Sequence, residues 1–152
     1  RRELDRFVER FPESGLLPEA IYWRGLTAFA QQDYSSAESI WSDLLEVYPK
    51  FKGREAVEFY LAQTLDRREM TDEAIQAYAI VTNRYPECPE VLQAYIQTAR
   101  AHQRLNQSEL ARQTARRAKA VLDRMAKDTT FTGTTNETRK QWEETLDAIA
   151  AK

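Results

Sequence analysis

The sequence predicts an all-α fold, a solenoid of stacked antiparallel helix pairs. The main observation is a 37-residue repeat of aromatic–proline pairs: Phe11-Pro12, Tyr48-Pro49 and Tyr85-Pro86. Two sets of small residues keep the same spacing: Gly25, Ala62 and Ala99, and Ala37, Ala74 and Ala111. A fixed period of about 20–50 residues is typical of repeat architectures. The chain has only 4 glycines and 5 prolines and no β-branched run, so helices are favoured over strands.

The first element is a partial repeat at residues 1–12. Residues 1–11 are predicted to be the last turns of a helix, because apolar residues recur there at helical spacing: Leu4, Phe7, Val8 and Phe11. Each lies 37 residues before an apolar residue of the next repeat: Trp41, Leu44, Leu45 and Tyr48. We therefore expect further repeats upstream in a parent protein, and self-association through residues 1–11 in their absence.

Three full repeats follow, at about residues 18–49, 54–86 and 89–127. Each is predicted to hold two helices, at about 18–31 and 33–48, 54–68 and 71–85, and 89–105 and 108–127. Pro18 suits a first helical turn, and Asp33 suits an N-cap. The third repeat departs from the pattern: Ala115 replaces a bulky aromatic, and Asp123 stands where the next proline is due. Without that proline, its second helix is expected to run on by about one turn.

The chain is predicted to end with a polar loop at 128–136 and a capping helix within 137–152. The loop is rich in Thr, Gly and Asn, which disfavour helix. The helix, at about 137–150, carries Trp142, Leu146 and Ile149 on one side, which would cover the third repeat. The alternative is a free amphipathic helix that docks on a partner.

The recurring small residues predict close approach of the two helices in each pair. Gly25 and Ala37 mark these positions in the first full repeat, and a larger residue there would overpack the core. Trp41 and Tyr78 are the predicted bulky fillers between repeats. Stacking against a neighbouring pair is needed because one pair alone cannot bury both of its faces.

Composition and charge restrict the classes of function. The chain of 152 residues has no apolar stretch long enough to span a membrane, and the single Cys88 excludes an internal disulfide. The net charge of −2 hides an uneven distribution: residues 1–99 carry −6, residues 100–127 carry +6 and residues 128–152 carry −2.

These residues resemble the tetratricopeptide repeat family over about residues 1–125. The family pattern is a small residue on the first helix, then an alanine and an aromatic residue on the second helix, and a closing proline. This sequence matches it with Gly25, Ala37, Trp41 and Pro49, and again with Ala62, Ala74, Tyr78 and Pro86. The sequence departs from the family in three ways. Its period is 37 residues rather than 34, Arg24 stands where the family usually has a core leucine, and Glu58 stands where the family prefers an aromatic residue. The resemblance implies a right-handed superhelix, and the long period resembles the family's bacterial extracytoplasmic branch.

The resemblance also implies that the first helices of the repeats line a concave groove that binds a peptide or protein partner. The groove candidates are Tyr22, Leu26, Phe29, Phe59, Gln63, Asp66, Arg67, Ile96, Arg100, Gln103 and Arg104. This groove would change from apolar and aromatic to basic along the chain, which suits a segment with an apolar anchor and an acidic end. Alternatively, the aromatic candidates are partly core. The family's carboxylate clamp is not expected, because its lysine positions hold Tyr22, Phe59 and Ile96.

A basic run on the last repeat raises the question of nucleic acid: Arg112, Arg116, Arg117, Lys119 and Arg124. The body of the chain is acidic and the run is confined to one helix, so nucleic acid is disfavoured. A solvated face, or a dock for the acidic half of a neighbouring molecule, is favoured instead.

No enzyme chemistry, metal or cofactor is predicted. The only histidine is His102, which excludes a histidine-based metal cluster or triad, and there is no glycine-rich phosphate loop. We therefore predict a non-enzymatic scaffold for protein–protein interaction. The alternatives are an architectural spacer or oligomerisation segment of a larger repeat protein, and the regulatory arm of an enzyme.

Overall fold

The computed structural model describes residues 6, 10, 14–86, 88–125 and 137–151, apart from the side chain of Pro89. These residues form seven α-helices and no strand: α1 (Leu17–Ala30), α2 (Tyr34–Val47), α3 (Arg54–Arg67), α4 (Thr71–Arg84), α5 (Pro89–Arg104), α6 (Ser108–Arg124) and α7 (Arg139–Ala150). The all-α prediction is confirmed, and most helix ends lie within one or two residues of the predicted ones. The chain divides into two compact units, residues 1–70 and 71–152, which are described separately.

The first unit contains the hairpin of α1 and α2, with α3 packed against α2. Pro18 lies in the first turn of α1, and the carboxylate of Asp33 accepts a hydrogen bond from the backbone N–H of Ser36 at 3.2 Å, as expected for an N-cap. The buried core of this unit combines all three helices: Ala28, Ala37, Ile40, Trp41, Leu44 and Val57. Of residues 1–13, only Arg6 and Arg10 are described, and both are helical. The rest of the predicted first helix lies outside the described residues.

Gly25 is required where α1 crosses α2. A Cβ atom at this position would lie 2.2 Å from Nε1 of the buried Trp41, well inside contact distance. The indole N–H of Trp41 donates to the backbone oxygen of Tyr22 at 3.3 Å, and its ring stacks on Tyr60 with ring centres 5.4 Å apart. The predicted close approach at Gly25 and the predicted burial of Trp41 are both confirmed.

The turns at the ends of α1, α3 and α5 repeat with the same 37-residue spacing. Each contains one non-glycine residue in the left-handed region: Gln32 (φ 61°), Glu69 (φ 63°) and Asn106 (φ 57°). The backbone N–H of the following residue donates a hydrogen bond to the carbonyl oxygen five residues earlier. Asp33 donates to Ala28 at 3.0 Å, and Gln107 donates to His102 at 2.8 Å. This is the Schellman arrangement, which satisfies the last carbonyls of a helix. The repeat is therefore present in the backbone as well as in the side chains.

The second unit consists of α4, the hairpin of α5 and α6, and α7. Its core cluster is Val91, Leu92, Ile96, Ala99, Ala115, Ala118, Val121, Leu122, Trp142, Leu146 and Ile149. The second helix of the third repeat ends at Arg124, before the predicted Lys127 but one turn later than the matching end of α4 at Arg84. The predicted loop at 128–136 lies outside the described residues.

Helix α7 caps the second unit. Thr138 and Gln141 form a capping box at its start, and Trp142 is fully buried against α5 and α6. The guanidinium of Arg139 donates to the backbone oxygens of Leu122 at 2.8 Å and Met125 at 2.9 Å, which satisfies the end of α6. The predicted capping helix is confirmed, and the alternative of a free amphipathic helix is wrong because its tryptophan is inside the core.

Candidate protein-binding surface

The outward face of α1 carries the most exposed aromatic residue that the structure describes. Gly25 and Ala28 are buried where α1 meets α2, so the opposite side of the helix passes through Glu19, Trp23 and Ala30, which are exposed. Trp23 is 57% exposed. An indole left in water is a large apolar surface available for a partner.

Three of the predicted groove residues flank Trp23: Tyr22, Leu26 and Phe29 are half-buried. The rings of Tyr22 and Trp23 pack edge to face, with their centres 5.6 Å apart, and the centres of the Tyr22 and Phe51 rings are 5.9 Å apart. These residues pack against the core of the first unit on one side. Their remaining exposed surface extends the apolar face on one side of Trp23.

Phe59 does not belong to the exposed surface, and its prediction as a groove residue is corrected here. It is 1% exposed, and its counterpart one repeat later, Ile96, is buried in the cluster that contains Trp142 and Leu146 of α7. The exposed aromatic residue of α1 lies one position later in the register, at Trp23, whereas the counterparts of Trp23 in the next two repeats, Tyr60 and Gln97, are half-buried.

Sequence reasoning missed Trp23, although the sequence contained the necessary signal. A helix turns by about 100° per residue, so the face opposite Gly25 and Ala28 can be calculated once these small residues are placed at the helix contact. That face contains Trp23 rather than Tyr22. The family pattern, which was used to choose Tyr22, is shifted by one position relative to the exposure seen here.

On α3, the candidates Gln63 and Asp66 are half-buried and Arg67 is exposed. The start of α3 is fixed by Arg54, whose guanidinium donates to Glu58 at 2.8 Å and to the backbone oxygen of Pro49 at 3.0 Å. This bond accounts for Glu58, which departs from the aromatic that the family prefers. The carboxylate holds Arg54 against the connector between two repeats.

On α5, in the second unit, the exposed side is basic and polar. Arg100 and Arg104 are exposed, and Gln97 and Gln103 are half-buried. His102 lies at the end of this helix, where its Nδ1 is 2.7 Å from the side-chain oxygen of Gln107. The histidine therefore takes part in the turn between α5 and α6, as a packing residue.

The basic residues of α6 are only partly neutralised. Arg112 pairs with Glu109 at 2.8 Å, and Lys119 pairs with Asp147 of α7 at 2.6 Å. The hydrogen bond from Arg112 lowers the pKa of Glu109, and the hydrogen bond to Asp147 raises the pKa of Lys119. Arg116 and Arg117 are exposed, and within the described residues neither forms an ion pair.

A separate pocket of about 230 Å³ lies between α1 and α2. It is lined by Ile21, Arg24, Ile40, Asp43, Leu44, Val47 and Tyr48. Arg24, which replaces the family's usual core leucine, is in this wall. The lining is apolar with two charged residues and offers no nucleophile beside a base.

The described residues contain no group of three or more His, Cys, Asp or Glu side chains that could hold a metal ion. Within the same part of the chain, every helix is too short or too polar to cross a membrane. Cys88, the single cysteine of the chain, is half-buried beside Pro89.

Comparison with known proteins identifies the repeat. The tetratricopeptide repeat profile matches residues 19–50 and 56–87. No curated protein sequence matches the chain. Among solved structures, PcrH from Pseudomonas aeruginosa has a TM-score of 0.66 at 15% identity, covering 90% of this chain and 93% of that one. A second PcrH structure, in complex with the chaperone binding region of PopD, has a TM-score of 0.65 at 15% identity, covering 88% and 90%.

A tetratricopeptide repeat protein from Parabacteroides merdae also shares the fold, with a TM-score of 0.66 at 13% identity over 99% of this chain and 52% of that one. At such low identities these likenesses show the fold alone. The two profile matches coincide with the helix pairs α1–α2 and α3–α4. Residues 19–50 and 56–87 therefore match the tetratricopeptide repeat.

Proposed function

We propose that this chain binds a segment of another protein on the exposed side of its first helix, α1. The observation that carries the proposal is Trp23, 57% exposed on the outward face of α1 and flanked by half-buried apolar side chains. Aromatic residues of this kind supply most of the binding energy in many protein interfaces. The proposal is supported by PcrH, which shares this fold and forms a complex with the chaperone binding region of PopD.

The expected contribution of Trp23 is large enough to measure. Burying the exposed half of an indole removes on the order of 100 Å² of apolar surface from water, which favours binding by about 2–3 kcal/mol. Tyr22, Leu26 and Phe29 are held by the core, so their surfaces would be covered without much loss of side-chain freedom. Such preorganisation lowers the entropic cost of binding.

In the second unit, the exposed basic side chains Arg100 and Arg104 on α5 would favour acidic residues of a partner. Exposed charges of this kind raise association rates and select partners more than they raise affinity. We therefore propose the apolar surface of α1 as the anchor in the first unit, and treat the charges of α5 as a separate contact of the second unit. No catalytic step is part of this function.

The proposal can be tested with peptides selected from a displayed random library against the whole chain. We expect the selected peptides to carry an apolar residue, and Trp23→Ser to weaken their binding by about 30-fold or more in fluorescence anisotropy. Leu110→Ser is the matched control, because Leu110 is also exposed but lies on α6. It should change affinity less than twofold.

Both variants should keep the helicity and melting temperature of the wild type, since neither side chain is in the core. Equal binding by wild type and Trp23→Ser would refute the proposal. Loss of binding in Leu110→Ser but not in Trp23→Ser would place the binding surface on α6 instead.

A further inference from the structure

The outer face of α6 carries positive charge that the described part of the chain leaves unbalanced. The helix has five basic residues, Arg112, Arg116, Arg117, Lys119 and Arg124, and two acidic ones, Glu109 and Asp123. Arg112 and Lys119 are paired with acidic side chains, and Arg124 donates to the backbone oxygen of Ala120 at 3.2 Å. The adjacent side chains of Arg116 and Arg117 are exposed and form no ion pair within the described residues.

The outer face of α2 has the opposite character. This helix contains Glu38, Asp43 and Glu46 and no basic residue. Glu38 pairs with Arg68, whereas Asp43 and Glu46 are exposed and have no ion pair in the described part of the chain. The two carboxylates are three residues apart, about 4.5 Å along the helix, so both project from nearly the same side.

We propose that α6 of one molecule docks on α2 of a second copy, with Arg116 and Arg117 against Asp43 and Glu46. We infer a second copy of this chain as the binding partner from charge complementarity, because the same chain has a surplus of positive charge on α6 and a surplus of negative charge on α2. Arginine forms bidentate hydrogen bonds with carboxylates, so each of the two exposed guanidinium groups can bind one of the two carboxylates. The contact uses second helices and is separate from the Trp23 face.

A nucleic acid fits this surface less well than a protein with discrete carboxylates does. A phosphate backbone places a charge every few ångströms and needs a continuous basic track. Here the basic residues are confined to one helix, and the neighbouring α7 carries Glu143, Glu144 and Asp147. Asp147 pairs with Lys119 and Glu144 lies 3.6 Å from Lys140, so a phosphate on that side would compete with ion pairs that are already formed.

The test is sedimentation velocity of the whole chain over a range of concentrations at about 50 mM and 500 mM salt. We expect self-association at low salt that weakens by about tenfold or more at high salt, because exposed charges are screened. The double variants Arg116→Glu/Arg117→Glu and Asp43→Arg/Glu46→Arg should each weaken association by at least about tenfold. Mixing the two variants should restore it, since each then supplies the charge that the other lacks.

Lys50→Glu/Lys52→Glu is the matched control, because it changes net charge by the same amount at two other exposed positions. It should leave association within about twofold of the wild type. If the Arg variant of α2 fails to fold, Asp43→Asn/Glu46→Gln replaces it and should also weaken association.

A wild type that stays monomeric at low salt, or a mixture that fails to associate, would overturn the proposal. A third result would assign the surface to nucleic acid: unchanged self-association in Arg116→Glu/Arg117→Glu together with lost binding of a 20-base-pair DNA duplex. Because Trp23→Ser should not affect self-association, failure here is distinguishable from failure of the proposed function.

Discussion

The first and third helix hairpins solve the same packing problem with different residues. In α1–α2 the crossing pairs Gly25 with Trp41, and the indole fills the space between helices. In α5–α6 the equivalent positions hold Ala99 and Ala115, both buried, and Trp142 of α7 belongs to the same cluster. The repeat therefore determines where the backbones approach, whereas the bulky filler can come from the hairpin itself or from the next helix.

The largest expected effect comes from removing either filler. Trp41→Ala and Trp142→Ala should each lower the free energy of unfolding by about 3–5 kcal/mol, because both indoles are fully buried. Urea denaturation monitored by circular dichroism measures this. Trp23→Ala is the control and should cost less than about 0.5 kcal/mol. A small effect of Trp142→Ala would show that α7 does not complete the third repeat.

Both crossings should be destabilised by a change of one methyl group, which is added in Gly25→Ala and removed in Ala99→Gly. Gly25→Ala should destabilise the chain by about 1–3 kcal/mol or more, since the new Cβ would collide with the Trp41 ring. Ala99→Gly should cost about 1 kcal/mol through lost packing and added backbone freedom. Combining Gly25→Ala with Trp41→Phe should recover part of the loss. A neutral Gly25→Ala would contradict the close approach seen here.

Glycine at the left-handed turn positions should stabilise the chain. The left-handed conformation costs a side-chain-bearing residue about 1–2 kcal/mol, and the freedom of glycine in the unfolded chain offsets part of this gain. We expect Gln32→Gly and Glu69→Gly each to add about 0.5–1 kcal/mol in urea denaturation.

The matched controls for these turns are their neighbours, Gln31→Gly and Arg68→Gly. Both residues have negative φ, so glycine there should destabilise. Asn106→Gly should gain less than Gln32→Gly, because asparagine tolerates this conformation better than glutamine does.

The smallest effect concerns the ion pair between α6 and α7. Asp147 raises the pKa of Lys119, so the stabilisation is complete below the ordinary lysine value of 10.5 and is lost as pH rises through the raised pKa. Lys119→Met should therefore lower the melting temperature slightly at pH 7, and the difference should disappear once the pH is well above the raised pKa of Lys119. Lys140→Met, beside Glu144 at 3.6 Å, is the control. A pH-independent difference would mean that Lys119 acts by packing alone.

The fold could be predicted from the sequence because its determinants are local and periodic. Aromatic–proline pairs end the second helices, and small residues mark the helix crossings, so the order and ends of the helices followed directly. The third repeat was predicted to match the repeat pattern less well, because Ala115 replaces an aromatic residue. In the structure, Trp142 of α7 lies in the same cluster as Ala115 and supplies the missing bulk. This depends on how α7 packs, which the repeat pattern does not encode.

The binding surface was less predictable, because exposure depends on rotation of a helix by a single residue. Phe59 and Ile96 belong to the register that was chosen for the groove, and both are buried, Ile96 in the cluster that contains Trp142 of α7. Trp23 belongs to the next position and was not predicted. The basic candidates Arg67, Arg100 and Arg104 are exposed, and their role in binding stays a prediction.

The most direct test of the central claim is fluorine NMR of the chain labelled with 5-fluorotryptophan, titrated with a selected peptide. The chain has three tryptophans, of which Trp41 and Trp142 are fully buried and Trp23 is exposed, and Trp23→Phe assigns its resonance. We predict that only the Trp23 resonance responds to D₂O in the free chain, and that it shifts most on peptide binding. A Trp23 resonance that is unchanged by a bound peptide would contradict the account.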